Sequence, residues 1–306
     1  MSERSRFGII ETLSDRYTNF IDLNIDNRES VPFTGSELVF ASTDAGDKIV
    51  VKVPGGNGKA RHEWEGLRKV YLANISVPTP IALINYRDNQ LGVVSGFVQG
   101  DNLYYHPDSQ VKVEIGRQVE AMHYRALIDG EVWKASGRNT FVYYDKHIFN
   151  WNSGELKELQ TDSKTISLIN KLSGTMMDFC NHVKPVFNHN DLHDGQVIVD
   201  RERRPTIIDF GNWTEEGWLN DIGYHLFHLI RTDRVSVNFT NFLRGYTGNV
   251  PLSDVEKSVL GFYLLFISAR ALNYFDTSRS PYLPVAKETH KKVLDYLDKE
   301  IIWKKY

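Results

Sequence analysis

Cysteine is nearly missing from this chain: Cys180 is the single one in 306 residues. An internal disulfide is therefore excluded. The apolar, helix-like surroundings of Cys180 mark it as a buried structural thiol rather than a reactive one. Long apolar runs are missing too. The longest, Val259 to Ile267, falls short of the roughly 18 to 20 residues that span a bilayer and is soon followed by Arg270. The amino terminus carries charge in Met1-Ser2-Glu3-Arg4-Ser5-Arg6, but no apolar segment behind it completes a signal peptide. No membrane partner is expected, and the cytoplasm is the expected location. Charge of one sign is also scarce. With 36 Lys and Arg against 39 Asp and Glu, the net charge of −3 argues against a general nucleic-acid binder. Internal repeats and low-complexity tracts do not occur.

Composition is otherwise that of a globular protein, at 41% hydrophobic and 25% charged residues. The length favours two lobes over one compact domain. Strand-like patterning runs from Phe33 to Ala41 and from Lys48 to Val53 around a turn at Asp44-Ala45-Gly46-Asp47. Pro32 can stand only at the mouth of the first strand, having no N–H for a ladder. Pro54 to Gly58 breaks the pattern, and Lys59 to Ala73 reads as a helix. Ile81 to Ile84 and Leu91 to Val94 read as strands flanking a turn at Arg87 to Gln90. From about residue 109 onward helical patterns dominate.

Those helical patterns are interrupted by the most informative stretch of the chain, Asn188-His189-Asn190-Asp191-Leu192-His193-Asp194-Gly195-Gln196, followed by Ile207-Ile208-Asp209-Phe210-Gly211. Val197 to Val199 and Thr206 to Ile208 read as the strands of a hairpin whose turn is Asp200 to Pro205. Two carboxylates, Asp191 and Asp209, then stand on loops at its two sides. Phosphoryl transfer from ATP needs two such groups: one accepts the proton of the attacking hydroxyl, and the other holds Mg²⁺ on the phosphates.

An apolar strand, His-x-Asp, a hairpin and Asp-Phe-Gly, in that order and spacing, resemble the aminoglycoside phosphotransferase and choline kinase family. The family's catalytic loop reads His-x-Asp, with Asn five residues after the Asp. Position 196 departs from this, being Gln. The resemblance implies an α+β, bilobal, protein-kinase-like fold with a small β-rich N-lobe and a larger, mainly helical C-lobe. The boundaries read as 1–98 for the nucleotide-binding lobe and 99–306 for the catalytic and substrate lobe. ATP or GTP and Mg²⁺ are the implied cofactors, and the partner is a small molecule offering a hydroxyl. Either a monomer or a homodimer fits.

The resemblance also assigns residues. Asp191 is the candidate base, and Asp209 and Gln196 are the candidate metal ligands. The amide oxygen of Gln196 is as hard a donor as that of Asn but sits one methylene further out. Lys52, ending its strand, is the candidate contact to the α- and β-phosphates; a solvated strand-end lysine is the alternative. Glu63 is its candidate ion-pair partner. Glu65 is the rival, turned about 200° around the helix. Gly35 and Ser36 lie where related kinases fold a turn over the triphosphate, though no Gly-x-Gly-x-x-Gly is present and the segment taken by itself reads first as an ordinary turn. Phe97 and Val98, at the lobe junction, offer backbone groups to adenine.

His189 reads as structural, while His193 and Asp194 receive no role from the motif spacing. Asp221 either holds the catalytic loop or caps the next helix. Trp213, Glu215, Glu216 and Trp218 could receive a cationic or sugar-like acceptor, or form a solvated loop. An antibiotic or sugar-like acceptor is preferred over choline or another amino alcohol. A nucleotide-binding pseudokinase is the competing class, motivated by Gln196. A protein kinase is disfavoured, because no Ala-Pro-Glu follows Asp209-Phe210-Gly211 and helical patterns resume within about ten residues.

Overall fold

The computed structural model describes residues 3–13, 20–31, 36–87, 90–126 and 163–298. Among the segments read from sequence, Pro32 to Gly35, part of the turn before Gln90, and the stretches 127–162 and 299–306 of the helical region lie outside these residues. The chain divides into two compact units: residues 1–106 with 195–213, and residues 107–194 with 214–306. The excursion of 195–213 into the first unit carries the hairpin and Asp209.

The first unit is built on a closed, all-antiparallel barrel in the order β1-β2-β3-β4-β6-β5. Its strands are β1 (Glu3–Thr12), β2 (Phe20–Val31), β3 (Ser36–Thr43), β4 (Lys48–Val53), β5 (Pro80–Arg87) and β6 (Gln90–Gly96). The first two strands were not anticipated, although β2 shows the alternation that defines a half-buried strand. Ile21, Leu23 and Ile25 turn inward while Asp22, Asn24 and Asp26 intervene. Together with Phe7, Val39, Ile49, Val51, Ile84 and Val94 they fill the barrel. Pairing of β1 with β5 closes the ring and leaves no free sheet edge between them. The turn at Asp44 to Asp47 forms as expected, with Gly46 at φ 85 supplying the left-handed residue.

Helix α1 (Asn57–Leu72) follows β4. Its buried residues Ala60, Glu63, Trp64, Leu67 and Val70 recur at helical spacing, so a carboxylate stands on an otherwise apolar stripe. A small sheet of β7 (Asp101–Asn102), β9 (Val197–Val199) and β10 (Pro205–Ile207) carries the expected hairpin. Pro205 is the first residue of its strand rather than part of the turn, a position that needs no N–H in the ladder. Ile208 lies past the strand and donates its N–H to the carbonyl of Gln196 at 2.9 Å.

The second unit is mainly helical: α2 (Val111–Arg125), α3 (Ser163–His182), α4 (Leu219–Arg231), α5 (Val235–Thr247), α6 (Asp254–Thr277) and α7 (Leu283–Asp298). A two-stranded ladder of β8 (Val186–Asn188) and β11 (Thr214–Glu216) holds the two ends of the excursion side by side. Helix α6 opens with a capping box between Ser253 and Glu256. Among the described residues it alone is long and apolar enough to cross a membrane, and most of that stretch is buried. The apolar average survives Arg270, which the run counted from sequence did not allow for. Burial on all sides from Val259 to Ala269 makes it the central helix of this unit.

Candidate active site

Lys52 is the hub of the first unit's charged cluster. Strand β4 points its side chain away from the barrel interior filled by Val51 and Val53. There Nζ lies 3.0 Å from Glu63 Oε1 and 2.6 Å from Asp209 Oδ1. Glu65 instead pairs with Lys69, one turn along the exposed face of α1, at 3.4 Å. Glu63 is buried, and desolvation pushes its carboxyl up to about 7 against the opposing pull of Lys52. Burial lowers the Lys52 ammonium, and Glu63 with Asp209 more than offsets it, leaving the group raised.

Asp209 has φ 68, a left-handed conformation that costs a non-glycine residue energy and recurs at functional loops. Its second oxygen, Oδ2, accepts from Gln196 Nε2 at 3.4 Å. Gly211 completes the arrangement: a Cβ there would sit 3.4 Å from both Asp209 Oδ1 and Glu63 Oε2. A carboxylate and an amide within one ligand spacing form a hard oxygen donor set once the amide presents Oε1, and that fits Mg²⁺.

Ser36 opens β3, half-buried, and Gly35 lies outside the described residues. Phe97 donates its N–H to the carbonyl of Lys48 at 3.0 Å and meets Phe40 edge-on, with its ring exposed. Val98 follows it, half-buried. Trp213, one of the residues expected to receive an acceptor, is buried in the first unit. Its ring stacks on His62 at 4.7 Å, its Nε1 donates to the His62 carbonyl at 2.7 Å, and Lys69 Nζ stands 4.3 Å above it. Glu216 is buried in β11, and Trp218 stacks on Tyr246. Glu215 is half-buried in the same strand. Trp213 belongs to the first unit and the other three to the second.

The loop that carries Asp191 belongs to the second unit and is fastened by Asp221. This fully buried carboxylate accepts from the backbone N–H of His189 and of Asn190, each at 2.8 Å, and lies 3.1 Å from His123 Nε2. It lies within the first turn of α4, whose N-cap is Trp218, so it anchors the loop rather than capping the helix. Asn220 Nδ2 adds a bond to Asn190 Oδ1 at 3.1 Å. Asn190 takes φ 61, which asparagine tolerates, and Asp191 follows directly.

Three further groups were not legible in the sequence. Lys112 on α2 is buried, makes an ion pair with Asp194, and stands 3.3 Å from His225 Nε2. Burial pulls the Lys112 ammonium down against the attraction of Asp194. His225 is pushed well below its usual range, first by burial and then by Lys112, so it is neutral. His228, one turn further along α4, reaches Asp191. No local motif marks any of these, because each meets the loop through a contact distant in sequence.

The sequence pattern of the Phosphotransferase enzyme family matches residues 35–253, and the chain belongs to that family. It has the protein-kinase-like α+β fold expected of it. A search of the curated proteins found no match. Among solved structures, amicoumacin kinase in complex with AMP-PNP, Ca²⁺ and amicoumacin is similar at TM-score 0.60 and 13% identity, over 90% of this chain and 88% of that one. Spectinomycin phosphotransferase bound to ADP and spectinomycin is similar at 0.59 and 14%, over 89% and 90%. A choline/ethanolamine kinase family protein from Mesorhizobium loti is similar at 0.60 and 13%, over 89% and 87%.

Proposed function

We propose that this phosphotransferase moves the terminal phosphoryl group of ATP or GTP, with Mg²⁺, onto a hydroxyl of an antibiotic or sugar-like small molecule in the cytoplasm. The observation that carries the reading is the double contact of Lys52, at 3.0 Å from Glu63 and 2.6 Å from Asp209. A lysine between two carboxylates is held in one place, ready for the α- and β-phosphate oxygens. Phe97 and Val98 border the adenine, and Gly35 and Ser36 cover the triphosphate. Asp209 and Gln196 would hold Mg²⁺, which when bound neutralises charge on the β- and γ-phosphates.

Asp191 orients the acceptor hydroxyl and takes its proton as the oxygen bonds to the γ-phosphorus. The bond from that phosphorus to the β–γ bridging oxygen breaks, and the nucleoside diphosphate leaves. Asp221 holds Asp191 in place through the two backbone bonds of the loop. Solved structures of like fold include kinases named for amicoumacin and spectinomycin and a choline/ethanolamine kinase family protein, so the fold supports a small-molecule acceptor, and the acceptor panel distinguishes antibiotic from amino alcohol.

The test is turnover of Mg·ATP and Mg·GTP against a panel of aminoglycosides, nucleoside antibiotics, sugars and amino alcohols, repeated with Asp191→Asn. The expected result is an acceptor-dependent phosphate ester, with turnover lowered on the order of 10²-fold or more in the variant and nucleotide affinity retained. Near-normal kcat in Asp191→Asn would remove the residue from this role.

A further inference from the structure

Asp191 does not face the reaction alone. His193, two residues on, also approaches Asp191, while the intervening Leu192 is fully buried. His228 approaches from α4. Their Nε2 atoms stand 3.9 and 4.0 Å from the same oxygen, Asp191 Oδ1. Their rings lie 4.3 Å apart, tilted by 36°. The three ligand atoms are all within 4.8 Å of one another, and all three side chains are partly accessible.

These separations exceed hydrogen-bond length but fall short of three groups that merely share a surface. Zinc binds nitrogen and oxygen at about 2.0 to 2.1 Å, which sets tetrahedral ligands about 3.3 Å apart. Closing the triangle by roughly half an ångström to one and a half per edge is within reach of a loop imidazole and a carboxylate moving toward a helix-borne His228. Two imidazoles with one carboxylate suit Zn²⁺, Co²⁺, Ni²⁺ or Cu²⁺. Mg²⁺ takes oxygen ligands and is served by Asp209 and Gln196. The chain therefore offers two chemically different donor sets to two classes of cation.

We propose that Asp191, His193 and His228 form a transition-metal site of the zinc class, and that its occupancy shuts off phosphoryl transfer by tying up the carboxylate that receives the hydroxyl proton. The inhibitory half rests on the assignment of Asp191 as base; the binding half rests on geometry alone. Three protein ligands leave a coordination position for water or for an acceptor hydroxyl, so a small-molecule acceptor would compete with or modify binding.

The binding half is tested on the metal-free full-length protein by titration with Co²⁺, followed by its visible d–d absorption, and by displacement with Zn²⁺. The expected result is one equivalent bound, an intense spectrum of low coordination number, and at least tenfold weaker binding in both His193→Asn and His228→Gln, each first shown to keep the wild-type melting transition. No cobalt spectrum at millimolar metal, or a spectrum unchanged in both variants, would overturn the site. Should a variant fail to fold, the wild-type protein decides: carbethoxylation of His193 and His228, mapped by mass spectrometry, must be slowed by Zn²⁺ and not by Mg²⁺, and equal labelling with and without Zn²⁺ overturns the proposal. For the inhibitory half, Zn²⁺ should suppress turnover in excess Mg²⁺ at the concentration that displaces cobalt, and His193→Asn should raise that concentration at least tenfold. Equal inhibition of wild type and variant would sink it. The cobalt titration reads the site even if no acceptor is found.

Discussion

Lys52 and Asp209, 157 positions apart in the chain, meet at 2.6 Å, and the same ammonium lies 3.0 Å from Glu63. Neither contact can be inferred from the strand that carries Lys52, since that strand fixes only the direction of the side chain.

The register of α1 makes the first prediction. Glu63 stands on the buried stripe with Lys52, and Glu65 faces solvent with Lys69. Glu63→Ala should raise KM for ATP several-fold or more, because Lys52 then loses a charge-assisted partner and shifts. Glu65→Ala removes an exposed i,i+4 pair of roughly 0.3 to 0.5 kcal/mol and should leave KM unchanged. Steady-state kinetics of the two variants side by side decide it.

Titration of Glu63 makes the second. Its carboxyl is raised to about 7 in the folded chain, chiefly by burial, and the ordinary value of 4.5 applies when the chain unfolds. Between these values the folded state holds a proton that the unfolded state has released. Stability from this group is therefore full below about pH 4.5 and is lost as pH rises through about 7. The amount is on the order of 3 kcal/mol. In metal-free protein, Glu63→Gln should flatten the fall in melting temperature between pH 5 and pH 8. An identical slope in both proteins would refute the assignment.

Gly66 makes the third. A Cβ at this position of α1 would overlap the indole of Trp213. Glycine normally weakens a helix by about 0.5 to 1 kcal/mol relative to alanine, so Gly66→Ala would stabilise a helix with open space at this point. Here overpacking, typically about 1 to 3 kcal/mol, should win and lower the melting temperature. Adding Trp213→Leu should recover part of the loss. A rise in melting temperature for Gly66→Ala alone would mean that the Trp213 ring can leave its seat on His62.

Gln196 makes the fourth. Its side chain reaches Asp209 Oδ2 at 3.4 Å, and its carbonyl is bonded to the Ile208 N–H at 2.9 Å, which holds the backbone. Shortening the side chain by about 1.5 Å withdraws the amide from Asp209, and Mg²⁺ tolerates little displacement of its ligands. Gln196→Asn should therefore not increase Mg²⁺-dependent turnover. A large gain, measured across Mg²⁺ concentrations, would instead identify a degraded site and favour the pseudokinase.

The sequence by itself determined what local order can encode. His189-x-Asp191, the hairpin, and Asp209-Phe210-Gly211 lie within two dozen residues, so their spacing carries the family resemblance before any fold is known. The turn at Asp44 to Asp47 and helix α1 were legible for the same reason. The alternation of Ile21, Leu23 and Ile25 is present in the chain, but polar neighbours at every second position lower the apparent hydrophobicity of this half-buried strand. Other features depended on tertiary structure alone. The seating of Trp213 on α1, the anchoring by Asp221 of the loop before Asp191, and the approach of His228 to Asp191 all join residues tens to well over a hundred positions apart. Side-chain periodicity tells which face of an element is buried. It carries no record of what that face meets, and barrel closure and helix packing are what bring these partners into reach.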